Sequence, residues 1–180
     1  MNRKKLATIW LAGCSGCHMS LLDIDERILE LAKMADIVRS PLVDGKDLPP
    51  IDIALVEGAV ASDEHFREIL HIRRQARLVI AFGDCAVMTN VTGMRNYFPL
   101  KEVYDTAYVS ALSNDGAGSG PHHPNLQRLN EKVVPLQQVI NVDFVIPGCP
   151  PDADTIFYVL SEFLQDRVPD LGKNKKLKYG

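Results

Sequence analysis

Cys14 and Cys17 stand three positions apart in Ala12-Gly13-Cys14-Ser15-Gly16-Cys17-His18, and the chain has two further cysteines, Cys85 and Cys149. Two thiols on one turn can bind a single metal centre together. The pair follows the apolar run Leu6-Ala7-Thr8-Ile9-Trp10-Leu11 and precedes a helical pattern that begins near Leu21, so it reads as strand, glycine-rich turn, helix. Glycines there let the backbone come close to a bulky inorganic group without a Cβ in the way. Cys85 lies in Gly83-Asp84-Cys85-Ala86 after the run Arg77–Phe82, and Cys149 lies in Pro147-Gly148-Cys149-Pro150-Pro151 after Val142–Ile146. Each cysteine has a glycine one or two positions before it, at the end of a predicted strand. Buried structural thiols would sit on strand or helix faces instead.

The elements that must position these residues follow from periodicity. Residues 5–11 predict a first, buried strand. Leu21, Ile24, Ile28, Leu31 and Ala35 recur at helical spacing, which predicts one amphipathic helix of about four turns. A short strand at 36–39 and a polar, proline-punctuated loop at 44–50 come next. Ile51–Val56 is the third strand, closed by Glu57-Gly58, and Ser62-Asp63-Glu64 offers a capped helix start with Phe66, Ile69 and Leu70 on its apolar face. Arg77–Phe82 is the fourth strand and 86–98 a short helix. Ser110–Asn125 reads as a long surface loop. Its Gly116-Ala117-Gly118-Ser119-Gly120 run neither follows a strand nor opens a helix, so it is not read as a phosphate loop. Val142–Ile146 is the fifth strand, and Ile156, Phe157, Leu160, Phe163 and Leu164 mark the last helix. Alternating strands and helices argue for an α/β fold, a flavodoxin-like three-layer sandwich around a five-stranded parallel sheet in the order 2-1-3-4-5. Residues 1–172 form a single iron–sulfur, flavodoxin-like domain in this reading, and residues 173–180 a basic C-terminal tail. Sites in such sheets form beyond the carboxyl ends of the strands, which brings all four cysteines to one edge.

Four thiolates suit structural zinc or a [4Fe–4S] cluster. Zinc sites usually show two close pairs, whereas here one pair is followed by two singletons. The spacing, with Gly-Cys-Pro-Pro at the last ligand, favours the cluster. The chain of 180 residues has a net charge of −3 and no long basic stripe, which argues against nucleic acid as a partner. The apolar run near the N-terminus is too short, and broken too early at Gly13, for a membrane span or signal peptide, so an integral membrane protein is not expected. A cytoplasmic location is expected, where four cysteines serve as metal ligands or free thiols rather than disulfides.

Gly-Cys-Ser-Gly-Cys after the first strand, Val56-Glu57-Gly58-Ala59-Val60 after the third, Gly83-Asp84-Cys85-Ala86 after the fourth and Pro147-Gly148-Cys149-Pro150-Pro151 after the fifth resemble the small subunit of [NiFe] hydrogenases. The resemblance spans most of residues 5–165. It implies that Cys14, Cys17, Cys85 and Cys149 hold one proximal [4Fe–4S] cluster. With no cysteines to spare for further clusters, the chain resembles the short small subunits of soluble, bidirectional NAD(P)-linked hydrogenases. That likeness implies a large-subunit partner that holds the Ni–Fe centre, and a diaphorase partner with its own clusters, FMN and an NAD(P) site. The chain would then be an electron-transfer subunit of an enzyme that oxidises hydrogen or reduces protons, with no catalytic residue of its own. The related quinone-reductase subunit of respiratory complex I has adjacent cysteines in its first motif; here Ser15-Gly16 separates them, which favours the hydrogenase. Gly13 stands where the family often has an acid, and Asp84 where it often has threonine.

Other readings remain in view. A complex I-type iron–sulfur subunit, a zinc-stabilised binding module and a flavin-binding flavodoxin-like protein are the alternatives, and the cysteine turn occupies the place the flavin's phosphate loop would need. Glu57 is expected at the same edge as the cysteines, as a hydrogen-bond partner of the site or in a salt bridge. His18 is expected as a partly exposed interface residue, and His122-His123 as solvent or interface residues without a third ligand. Trp10 is expected in core or interface packing. Trp10, Met19, Val60, Met88 and Pro151 are expected to form an exposed apolar patch for a partner.

Overall fold

The computed structural model describes residues 3–44, 48–114 and 118–172. The basic tail at 173–180 and, within 115–117, the start of the glycine run lie outside the described residues. Five strands, β1 (Lys4–Trp10), β2 (Ala35–Arg39), β3 (Ile51–Glu57), β5 (Ala76–Phe82) and β7 (Phe144–Ile146), form a parallel sheet in the order β2-β1-β3-β5-β7. This is the expected 2-1-3-4-5 order. A separate antiparallel ribbon pairs β4 (Val60–Ser62) with β6 (Leu129–Val134); periodicity did not predict it.

Strand residues alternate between two cores because successive side chains point to opposite faces. Leu6, Ile53, Leu55, Ile80, Phe82 and Ile146 face one layer of helices, where Leu21, Leu31, Ile156, Leu160 and Phe163 meet them. Ala7, Ile9, Ala54, Val56, Val79 and Ala81 face the other, against Ile69, Ile72 and Leu136. The first layer holds α1 (Gly16–Leu22), α2 (Ile28–Met34) and α6 (Ala153–Leu164); the second holds α3 (Asp63–Gln75).

The single helix expected from 21 to 35 is interrupted. A 3₁₀ turn at Asp25–Arg27 separates α1 from α2, and Asp25 takes a left-handed conformation with φ 56°. The apolar spacing is unaltered, but α1 and α2 must both pack on α6. Asp tolerates the left-handed region better than most residues, so the bend falls there. The expected helix over 86–98 is likewise split into α4 (Asp84–Met88) and a 3₁₀ segment, Asn90–Tyr97, at two left-handed residues, Thr89 and Asn90. Before the long loop come α5 (Leu100–Tyr104) and a π-helical turn, Asp105–Val109. Helix α3 begins where Ser62-Asp63-Glu64 predicted: the Ser62 hydroxyl accepts the His65 N–H at 3.2 Å.

Candidate metal centre

Three turns at the carboxyl ends of β1, β5 and β7 carry the four cysteines. Cys14 lies between β1 and α1, Cys17 in the first turn of α1, Cys85 in the first turn of α4, and Cys149 between β7 and α6. Hydrogen bonds lace the turns together. Gly83 N–H donates to Ile146 O at 2.8 Å and extends the β5–β7 ladder. Asp84 and Gly148 bond reciprocally: Asp84 N–H to Gly148 O at 2.9 Å, and Gly148 N–H to Asp84 Oδ1 at 2.7 Å. Asp84 is therefore the clasp between the Cys85 and Cys149 turns, a role the sequence did not reveal.

Gly83 brings the β5 turn against the first motif. Its φ of 81° and ψ of 160° lie in a region essentially reserved for glycine. A Cβ built there would lie 2.2 Å from Cys17 Sγ. On the other side, Leu11 N–H donates to Glu57 O at 2.8 Å, and Ala12 and Ala59 exchange bonds of 2.8 and 3.1 Å, so the ends of β1 and β3 are also tied. Gly58, with φ 89°, permits this approach: a Cβ there would stand 2.7 Å from Ala12 O.

All four thiols are free, and Cys17 lies within electrostatic reach of the other three. Burial first, then the Glu57 carboxylate, then Cys85, Cys14 and Cys149 push the Cys17 thiol up. Burial, then Cys14 and Cys149, push up Cys85, with a Thr92 backbone hydrogen bond acting against them. Protons that Cys17 and Cys85 resist giving up are released when a cation takes their place. Cys17 is buried, Cys85 half-buried, and Cys14 and Cys149 exposed, so the site opens at the surface. Among the described residues, no three His, Cys, Asp or Glu side chains are grouped closely enough to hold one metal ion. Four thiols carried to one edge by three strand-end turns, with Gly83 set against the Cys17 sulfur, form a donor set whose chemistry suits a metal centre.

His18 is 1 % exposed and not the half-exposed interface residue expected. Its ring lies between Glu57 Oε2, in a very short contact at Nδ1, and Thr8 Oγ1, 3.0 Å from Nε2. The signal was present in the sequence: Thr8 is a polar residue inside an apolar strand, and a buried hydroxyl needs a partner. Trp10 (47 %), Met19 (46 %) and Met88 (50 %) are exposed as expected, but Val60 is fully buried, as is Pro151. Val60 points into the core shared with Ile69 and Leu136, and Ser20 Oγ donates to the Pro151 carbonyl. Trp10, half exposed, is not a core residue. His122 and His123 are exposed, and His123 Nδ1 accepts the nearby Asn125 N–H at 3.2 Å.

Residues 14–163 match the profile of the family described as NADH ubiquinone oxidoreductase, 20 Kd subunit. The chain belongs to that family, among its hydrogenase small-subunit members. The particular likeness is to the delta subunit of the HoxS NAD-reducing hydrogenase of Cupriavidus necator, with 44% identity over 170 residues, 93% of this chain and 81% of that protein. A second relative, from the F420-non-reducing hydrogenase of Methanothermobacter marburgensis, is 36% identical over 170 residues, 93% of this chain but 55% of that one. The chain thus spans about half the length of that second relative. Among solved structures, a chain of an NAD+-reducing [NiFe]-hydrogenase in the H2-reduced state superposes with a TM-score of 0.95 at 36% identity, covering 99% of this chain and 100% of that one. A chain of the [NiFeSe] hydrogenase of Desulfovibrio vulgaris Hildenborough shares the fold, with a TM-score of 0.58 at 16% identity, 97% of this chain and 62% of that one.

Proposed function

We propose that Cys14, Cys17, Cys85 and Cys149 hold one [4Fe–4S] cluster, and that the chain passes electrons between the Ni–Fe centre of a hydrogenase large subunit and a diaphorase module that carries FMN and an NAD(P) site. The observation that carries the reading is the convergence of four free thiols from three strand-end turns, with Gly83 shaped around the Cys17 sulfur. A cluster bound there supplies one-electron storage and transfer. The chain's own residues supply the rest. Cys17 and Cys85 anchor the inner side, Cys14 and Cys149 the outer side, and the Asp84–Gly148 clasp holds the last two turns in register.

The partners follow from the names of the relatives, which are subunits of NAD-reducing hydrogenases. Exposed Trp10, Met19 and Met88 beside the cysteine turns supply apolar surface for the large subunit. No helix among the described residues is long and apolar enough to cross a membrane, and we place the complex in the cytoplasm. The test is metal and sulfide analysis of anaerobically purified protein. Four irons with acid-labile sulfide per chain are expected, lost in Cys85→Ala and Cys149→Ala. One zinc per chain, or a Cys149→Ala protein with the parent's full cluster spectrum, overturns the reading.

A further inference from the structure

A continuous hydrogen-bonded chain of buried side chains runs away from the cysteine turns across three elements. Glu57 Oε2 accepts the His18 backbone N–H at 3.0 Å and meets His18 Nδ1; His18 Nε2 meets Thr8 Oγ1 at 3.0 Å; Thr8 Oγ1 donates to Ser40 Oγ at 2.7 Å. Ser40 Oγ in turn accepts the Leu42 N–H at 3.1 Å. Glu57, His18 and Thr8 are each 1 % exposed and Ser40 is 6 % exposed. Thr8 and Ser40 line two cavities of about 300 and 390 Å³, so the far end of the chain reaches toward open space.

Glu57 touches the cysteine motif at both ends. Oε2 holds the amide that follows Cys17, while Oε1 lies 3.4 Å from where a Gly13 Cβ would stand, just before Cys14. Packing alone does not require this arrangement, since four buried polar side chains cost stability unless each is satisfied. Aliphatic residues at 8 and 18 would fill the same space.

We propose that Thr8 and Ser40 are positioning residues of the metal site: through His18 they hold the Glu57 carboxylate against the Cys14–Cys17 turn and so set the potential at which the site accepts an electron. The inference rests on the [4Fe–4S] reading. Hydrogen bonding and net charge around the sulfurs set a cluster's potential, and the charge of Glu57 acts on both Cys17 and Cys85. A fixed carboxylate disfavours an added electron by the same field.

The experiment is a redox titration of the intact complex, followed by electron paramagnetic resonance. Glu57→Gln raises the midpoint, by a tenfold change in the reduction equilibrium or more, which is 59 mV for one electron. Thr8→Val matches threonine in shape and removes only the hydroxyl; it shifts the midpoint with the iron content unchanged, and Thr8→Ser restores the parent value. If Thr8→Val fails to assemble, Ser40→Ala, one bond further out, is expected to shift the midpoint in its place. Parent potentials and spectra in Thr8→Val, or in Ser40→Ala where Thr8→Val does not assemble, overturn the inference even if Glu57→Gln moves. Failure of the cluster reading itself shows separately, as a parent complex whose Cys85→Ala variant keeps its full iron and sulfide.

Discussion

Replacing Gly83 with alanine tests whether the β5 turn is shaped for the metal site. Two costs are legible. The backbone, at φ 81° and ψ 160°, is in territory where a side chain costs about 1–3 kcal/mol. The new Cβ would also lie 2.2 Å from Cys17 Sγ and 3.5 Å from Gly148 O. The sulfur or the turn must give way, and overpacking of this kind typically costs about 1–3 kcal/mol. The sum, roughly 2–6 kcal/mol, is a large part of the ~5–15 kcal/mol that holds a domain folded. Urea unfolding of the anaerobic protein measures the first effect; iron and sulfide content measures the displacement of Cys17. Gly120→Ala is the control, because nothing lies within 4 Å of a Cβ there, and it should stay within about 0.5 kcal/mol of the parent. A Gly83→Ala protein with the parent's midpoint and a full complement of iron would refute the argument.

Two further substitutions probe the scaffold. Ser62→Ala removes the cap of α3 and leaves Gln127 Oε1 without the 2.7 Å bond it accepts from Ser62 Oγ; urea unfolding should show a loss of about 0.5–2 kcal/mol, and an unchanged midpoint would contradict it. Asp166 is held below the ordinary carboxylate range by hydrogen bonds first from Lys4, then from Arg77, with ion-pair distances of 2.6 and 3.2 Å. A carboxylate depressed on folding contributes stability above its unfolded value and loses that contribution as pH falls through the folded one. The small deficit of Asp166→Asn should therefore be steady near neutral pH and close in acid below the unperturbed value of 3.8. A deficit that persists undiminished at pH 2 would rule out this source.

The five parallel strands and their order were legible because four of them are short apolar runs that end in a glycine turn, while β2 is a short run stopped by Ser40-Pro41. The cysteine turns were legible for the same reason, since a glycine beside a cysteine at a strand end has few structural uses. The ribbon of β4 and β6 was hidden. Val60–Ser62 is three residues long, directly after β3, and Leu129–Val134 shows mixed burial with no strict alternation. Its pairing joins Val60 to Val134 and Ser62 to Leu129 and comes from tertiary contact, not from local pattern. The break between α1 and α2 was hidden because apolar spacing is the same whether or not the backbone bends at Asp25. The burial of His18 was misjudged because its partners, Thr8 and Glu57, come from two different strands. Only the register Trp10 to Glu57 between β1 and β3 sets those partners around it.

The outermost strand on one side of the sheet, β7, is joined to β5 over only three residue pairs, Ile80 with Phe144, Ala81 with Val145 and Phe82 with Ile146. It delivers Cys149, whereas the other three thiols hang from the interior strands β1 and β5. In chelate terms three arms of the proposed ligand set hang from strands paired on both sides, and the fourth hangs from a marginal strand whose turn the Asp84–Gly148 clasp holds. Opening of the margin would detach a single donor and leave the remainder poised to recapture it at high effective concentration. The dependence would run both ways, because a centre held by all four proposed ligands would join the margin of the sheet to its interior. Occupancy of the site and closure of the sheet margin are then one equilibrium observed from two sides.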